Sequence, residues 1–190
     1  MKSKLIMLTL AASCVFAGNA MALTKQEYKA QKDHVEADYK ASREKCATLS
    51  ANAKDICQAE AKGAEKVAKA ELEAQYKPGP RQDQKVLDAK ADAAYELAKE
   101  KCDDMAGNTK DVCMKDAKAA RTSAKADAKV SRASADANKD KAGAMADAKK
   151  DAASDKNDAQ YKAAKERCDA MSGNAKDACQ NDAKAKFGMK

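Results

Sequence analysis

Large apolar residues are sparse along the chain, and where they occur they recur at helical intervals. In three stretches a Tyr (Tyr39, Tyr95, Tyr161) is followed three positions on by a small residue (Ser42, Ala98, Ala164), and four further by a Cys (Cys46, Cys102, Cys168). Three positions beyond each Cys stands Leu49, Met105 or Met171. Alternating steps of three and four trace one narrow stripe down a helix, so these positions predict a packed seam with the Cys at its centre. The stretches from Glu36, Asp92 and Asp158 align without a gap over 27 residues each, as copies of one unit. Such self-similarity is the mark of a repeat array.

After each seam the pattern predicts a turn and a second helix. Gly107 and Gly173 suit the left-handed position past a helix end, where the first copy has Ala51 and more strain. Asn52, Asn108 and Asn174 follow as N-caps. The second cysteines, Cys57, Cys113 and Cys179, lie eleven residues after the first. With the turn midway, both cysteines of a repeat sit about 8 Å up opposite arms, and a disulfide there stabilises each hairpin by roughly 2.7 kcal/mol in the chain-entropy treatment. The competing geometry is one unbroken helix through each repeat, which places the two cysteines about 16 Å apart and forces bridges between helices. Spacing alone does not separate the connectivities open to six cysteines.

The segments between repeats differ. "KPGP", 77–80, ends one helix, because proline cannot continue it. From 115 to 165 there is no Pro, and Asp136, Asp147 and Asp158 recur every eleven residues, a period that fits a nearly straight helix. The expected organisation is a signal peptide at 1–22, a helical hairpin at 23–77, a Pro-Gly-Pro turn at 78–80, a second hairpin at 81–120, a long Ala/Lys/Asp-rich helix at 121–157 and a third hairpin at 158–190. The fold class is all-α, an elongated array of disulfide-stapled antiparallel hairpins.

Composition sharpens this picture. Lys2 and Lys4, the apolar run from Leu5 to Ala17 and Ala20-Met21-Ala22 read as a signal peptide cut near Ala22, and hence as a periplasmic or secreted protein. The apolar run is shorter than a membrane span requires, and no later stretch approaches one. Removing 1–22 takes Cys14 and leaves six of the seven cysteines, all inside the repeats; an even set in an exported chain reads as disulfides. It also takes two lysines and no acid, which lowers the formal charge from +7 to +5. That charge is spread over a chain that is 35% charged, a mixed surface and a poor nucleic-acid footprint.

Catalytic chemistry finds little foothold. No Ser/His/Asp arrangement, phosphate loop or acid pair in an apolar pocket appears, so no enzyme activity and no small-molecule substrate are expected. Zinc sites place ligands two to four residues apart, whereas here cysteines come no closer than eleven, and the single histidine, His34, reads as solvated. No metal or other cofactor is expected. The Ala/Lys-rich stretch is similar in composition to late-embryogenesis and other desiccation-protection proteins and to the helical rod of envelope-spanning TolA proteins. The repeated "GNAKD.C" unit behind a signal peptide resembles small uncharacterised secreted proteins of Gram-negative bacteria, a resemblance that implies no activity. The reading of the whole is a non-enzymatic structural or stress-protective helical protein of the cell envelope, with an envelope protein as partner or with self-association. The alternatives are a thiol-based metal or oxidant scavenger using the six cysteines and a weak binder of anionic envelope surfaces.

Overall fold

A computed structural model describes residues 22–136 and 142–189. The expected signal peptide, Cys14 included, lies outside the described residues up to Ala22. Six helices follow in order: α1 (Lys25–Cys46), α2 (Ala51–Tyr76), α3 (Pro80–Cys102), α4 (Gly107–Ala135), α5 (Ala142–Cys168) and α6 (Gly173–Phe187). The described chain is all-α. Each helix packs only against the helices before and after it in the chain, so the six form an open layer in sequence order.

Local chemistry sets the helix ends. Thr24 closes a capping box with Glu27, its hydroxyl accepting from the Glu27 amide and the Glu27 carboxylate accepting from the Thr24 amide. The hydrogen bond from the Thr24 hydroxyl to that carboxylate is the main reason the Glu27 pKa is lowered. Gly79, at φ 155°, breaks α2 from α3, and Pro80 opens α3 instead of closing the turn, since a helix's first residue needs no amide partner. The far end of the first hairpin carries an aromatic clasp. Tyr28 stacks on Tyr76 with centroids 4.4 Å apart and donates its hydroxyl to Glu73 at 2.8 Å, which holds the start of α1 to the end of α2.

The expected long helix at 121–157 is not one helix. α4 ends at Ala135, α5 starts at Ala142, and the two pack along their length. Lys129 reaches Asp155 at 3.9 Å, Lys115 reaches Glu166 at 3.3 Å, and Lys156 pairs with Asp127, a register that only antiparallel helices produce. Ala126, Ala128 and Ala152, which a straight rod at 121–157 leaves in water, are buried here. The second hairpin therefore runs on past 120 to Ala135, and the third starts at Ala142 rather than 158.

The layer has a thin interior. Among the described residues the buried side chains are alanines, Leu72 and three cysteines, and none is polar. Small side chains let helices approach closely. A Cβ added at Gly63 in α2 would lie 2.9 Å from the Ala93 Cβ in α3. Charge then fixes register: Asp92 in α3 takes Arg121 at 2.5 Å and Lys125 at 2.8 Å from α4, and Lys90 takes Glu71 across α2 and α3 at 2.7 Å. Burial by itself raises the Asp92 carboxyl, and the Lys125 and Arg121 hydrogen bonds and charges outweigh it, so its pKa is lowered.

Two expectations follow. Gly63→Val forces α2 off α3 and destabilises the protein by about 1–3 kcal/mol, read as a lower denaturant midpoint. A folded-state pKa below the unfolded value of about 3.9 means that the Asp92 pairing stabilises above that pH and is lost as pH falls through the folded value. Asp92→Asn is therefore less stable than wild type at pH 7, and the gap narrows as pH falls below the unfolded value, in paired thermal melts.

Candidate functional site

Antiparallel order puts the turns of α1/α2, α3/α4 and α5/α6 along the same edge of the layer, and the cysteines, glycines and asparagines singled out in the repeat lie on or beside that edge. Each first helix stops at its cysteine. Cys46 bonds Cys57, Cys102 bonds Cys113 and Cys168 bonds Cys179, with Cα separations of 5.5, 5.7 and 5.6 Å. These separations fall inside the range a disulfide tolerates. Cys46, Cys102 and Cys168 are the largest fully buried side chains among the described residues, at 1%, 0% and 1% exposure. Bonds of this kind are those of a chain that folds in an oxidising compartment.

The turns are built alike. The amides of Leu49, Met105 and Met171 donate back to the carbonyls of Cys46, Cys102 and Cys168 at 3.1, 3.0 and 3.0 Å. The chain then passes through a left-handed residue: Ala51 at φ 49°, Gly107 at 55° and Gly173 at 56°. Two turns are braced by ion pairs, Lys110 with Asp103 at 2.8 Å and Lys176 with Asp169 at 2.9 Å. The hydrogen bond from Lys176 lowers the Asp169 pKa, and that to Asp103 raises the Lys110 pKa. Ala47 holds the matching position in the first turn, so Lys54 has no such brace there.

Two roles expected from sequence are corrected here. Leu49, Met105 and Met171 do not pack in the seam; they stand at 42%, 41% and 47% exposure in the turns. The helices end at the cysteines three residues earlier, so these side chains lie beyond the stripe that the spacing extrapolated. Asn52, Asn108 and Asn174 are not N-caps: Ser50, Ala106 and Ser172 occupy those positions, and none makes a side-chain cap bond. Asn52 instead donates its amide across to the Glu100 carbonyl of α3 at 2.8 Å, and Asn108 to the Glu166 carbonyl of α5 at 3.1 Å. Each clamps its own hairpin to the end of the next hairpin's first helix, on a carbonyl that also accepts the amide three residues on, Asp103 and Asp169 in turn.

The tyrosines are half-buried along the seam. Tyr161 meets Phe187 of α6 edge to face with centroids 6.5 Å apart, Arg121 of α4 lies 5.0 Å over the Tyr95 ring, and Arg43 lies 5.9 Å over Tyr39 within α1. Phe187, Tyr28 and Tyr76 were not singled out in the sequence; their aromatic character was the available signal, and their pairing depends on the lengths of the second arms. His34 sits on the exposed face of α1, 2.9 Å from Asp38. Among the described residues no three His, Cys, Asp or Glu side chains converge as a metal site, and no helix is long and apolar enough to cross a membrane. The grooves between hairpins are open and mixed in charge: that between α2 and α3, about 310 Å³, is lined by Lys62, Lys66, Glu96 and Glu100 around Gly63 and Ala93.

The left-handed residues give a paired expectation. Ala51→Gly relieves a side chain held at positive φ and stabilises by about 0.5–1 kcal/mol, whereas Gly107→Ala and Gly173→Ala each destabilise by about 1 kcal/mol. Thermal melts of the three variants, all with disulfides intact, check the opposite signs.

No family model matches this chain, and neither a curated protein nor a solved structure matches it.

Proposed function

We propose that this is a non-enzymatic helical scaffold of the cell envelope, exported and oxidised, that serves as a structural or protective spacer and interaction module. One observation carries the reading: the distinctive residues of the repeat serve shape. The cysteines close the turns, Gly107, Gly173 and Ala51 supply the left-handed step, and Asn52 and Asn108 tie one hairpin to the next. Chemistry at a catalytic centre asks for reactive groups held apart from such duties. The three exposed side chains Leu49, Met105 and Met171 along the stapled edge supply apolar contact points of the kind an interaction module uses.

The reading is tested in the producing cell by deleting the gene and challenging the envelope with detergent, drying and osmotic shock. A deletion strain that is sensitive, is restored by wild type, and is not restored by a variant with all six repeat cysteines replaced by Ser supports a scaffold whose shape matters. Sensitivity confined to copper or peroxide, relieved in proportion to the cysteine count, overturns it in favour of thiol chemistry.

A further inference from the structure

The repeat leaves its two ends unlike its middle. Inside the layer, hairpins join through one recurring interface: the second helix of one hairpin against the first helix of the next, as α2 on α3 and α4 on α5. Three features recur at matching repeat positions. The Asn clamp is Asn52 to the Glu100 carbonyl and Asn108 to the Glu166 carbonyl. Small residues meet where Gly63 faces Ala93, and Ala119 with Ala159 lines the matching groove. Opposite charges stand at Glu60 and Lys101 and at Asp116 and Arg167, the latter pair in contact.

The outward faces of α6 and α1 keep much of the same pattern, and no described helix packs against them. In α6 the matching residues are Asn174, Ala185 and Asp182; in α1 they are Glu44, Ala37 and Lys45. All six are exposed, whereas Asn52, Asn108, Glu100, Glu166, Ala93 and Ala159 are at least half-buried. Ala41 of α1 is exposed as well, and its counterpart Ala163 is 3% exposed. A repeat array that ends in itself carries altered, polar end faces. These faces keep the polar and small positions, the clamp donor, the small residue and the acid on one and the carbonyl, the small residue and the base on the other, while Ala178 and Ala41 stand where inner helices have Ile56, Val112 and Leu97.

We infer that the partner of these faces is a second copy of this chain, joined head to tail, with α6 of one copy against α1 of the next in the register of α2 on α3 and α4 on α5. In that register Asn174 donates to the partner copy's Glu44 carbonyl, Ala185 meets Ala37, and Asp182 pairs with Lys45. The interface is heterologous, so it propagates instead of closing on a two-fold axis. Because α6 is only 15 residues long, against 29 for α4, the contact covers fewer turns than the internal interfaces and is weaker than they are. Association is therefore concentration-dependent. The inference goes beyond the scaffold reading, and its test reads association alone, so either can fail without the other.

The test is sedimentation velocity on the oxidised protein, purified from the compartment in which its disulfides form, over a wide concentration range. Wild type should give a graded series of species that grows with concentration. Ala37→Arg blocks the α1 face and Ala185→Arg the α6 face; both positions are exposed, so circular dichroism and melting of the dilute protein should not change. Each variant alone should remain monomeric, and an equimolar mixture should form a dimer and nothing larger, since each contributes one intact face. Lys45→Asp should weaken association several-fold, and Asp182→Lys in the same chain should restore it. A wild-type protein that stays monomeric at the highest concentration overturns the inference. So does self-association by either blocked variant alone, which indicates a different face.

Discussion

Three short disulfide loops are the constraint on which the rest of this structure depends. A chain whose buried side chains, among the described residues, are mostly alanines gains little from each helix it packs, because each alanine removes little apolar surface from water. Two helices joined by a free linker in such a chain have many competing registers of similar energy. The bond from the last residue of a first helix to a residue two turns into the second removes that choice, fixing both the depth of the turn and the rotation of each arm. The buried cysteines, filling the seam where a larger chain places leucine, also supply part of the core the sequence otherwise lacks.

With hairpins fixed, weaker interactions suffice to order the layer. Close approach at Gly63 and Ala93, the asparagine clamps and the ion pairs of Asp92 or of Lys115 with Glu166 each contribute modestly, and surface pairs of this kind are worth about 1 kcal/mol or less. The clamps and the small-residue contacts recur at the same repeat positions, whereas the ion pairs differ from one interface to the next. Stability then resembles a sum over neighbouring units, as in other repeat arrays.

Much of this architecture was legible in the sequence, because its determinants are local. Spacing placed the cysteines on facing arms, and the need for a left-handed residue marked Gly107, Gly173 and the strained Ala51 before any coordinates. What was not legible depends on neighbours distant in the chain. Asn52 and Asn108 read as caps because a cap is the local use for asparagine, while the carbonyls they reach belong to the next hairpin, 48 and 58 residues away. Leu49, Met105 and Met171 read as seam because the stripe was extended three residues past the end of each helix. The reversal between α4 and α5 escaped notice for want of a proline or glycine cluster, and its positive signal, charges of opposite sign at antiparallel register, has meaning only once the chain is folded back.

The most direct test of this account is mass-spectrometric mapping of the unreduced protein, with far-UV circular dichroism and hydrogen exchange before and after reduction. The account predicts Cys46–Cys57, Cys102–Cys113 and Cys168–Cys179 as the native bonds. On reduction it predicts lower helicity and a loss of amide protection that begins at the stapled edge and spreads into α1 and α6, the helices with only one neighbour. Bonds between repeats, or a reduced protein that keeps its helicity and protection, would contradict the claim that the short loops hold this layer together.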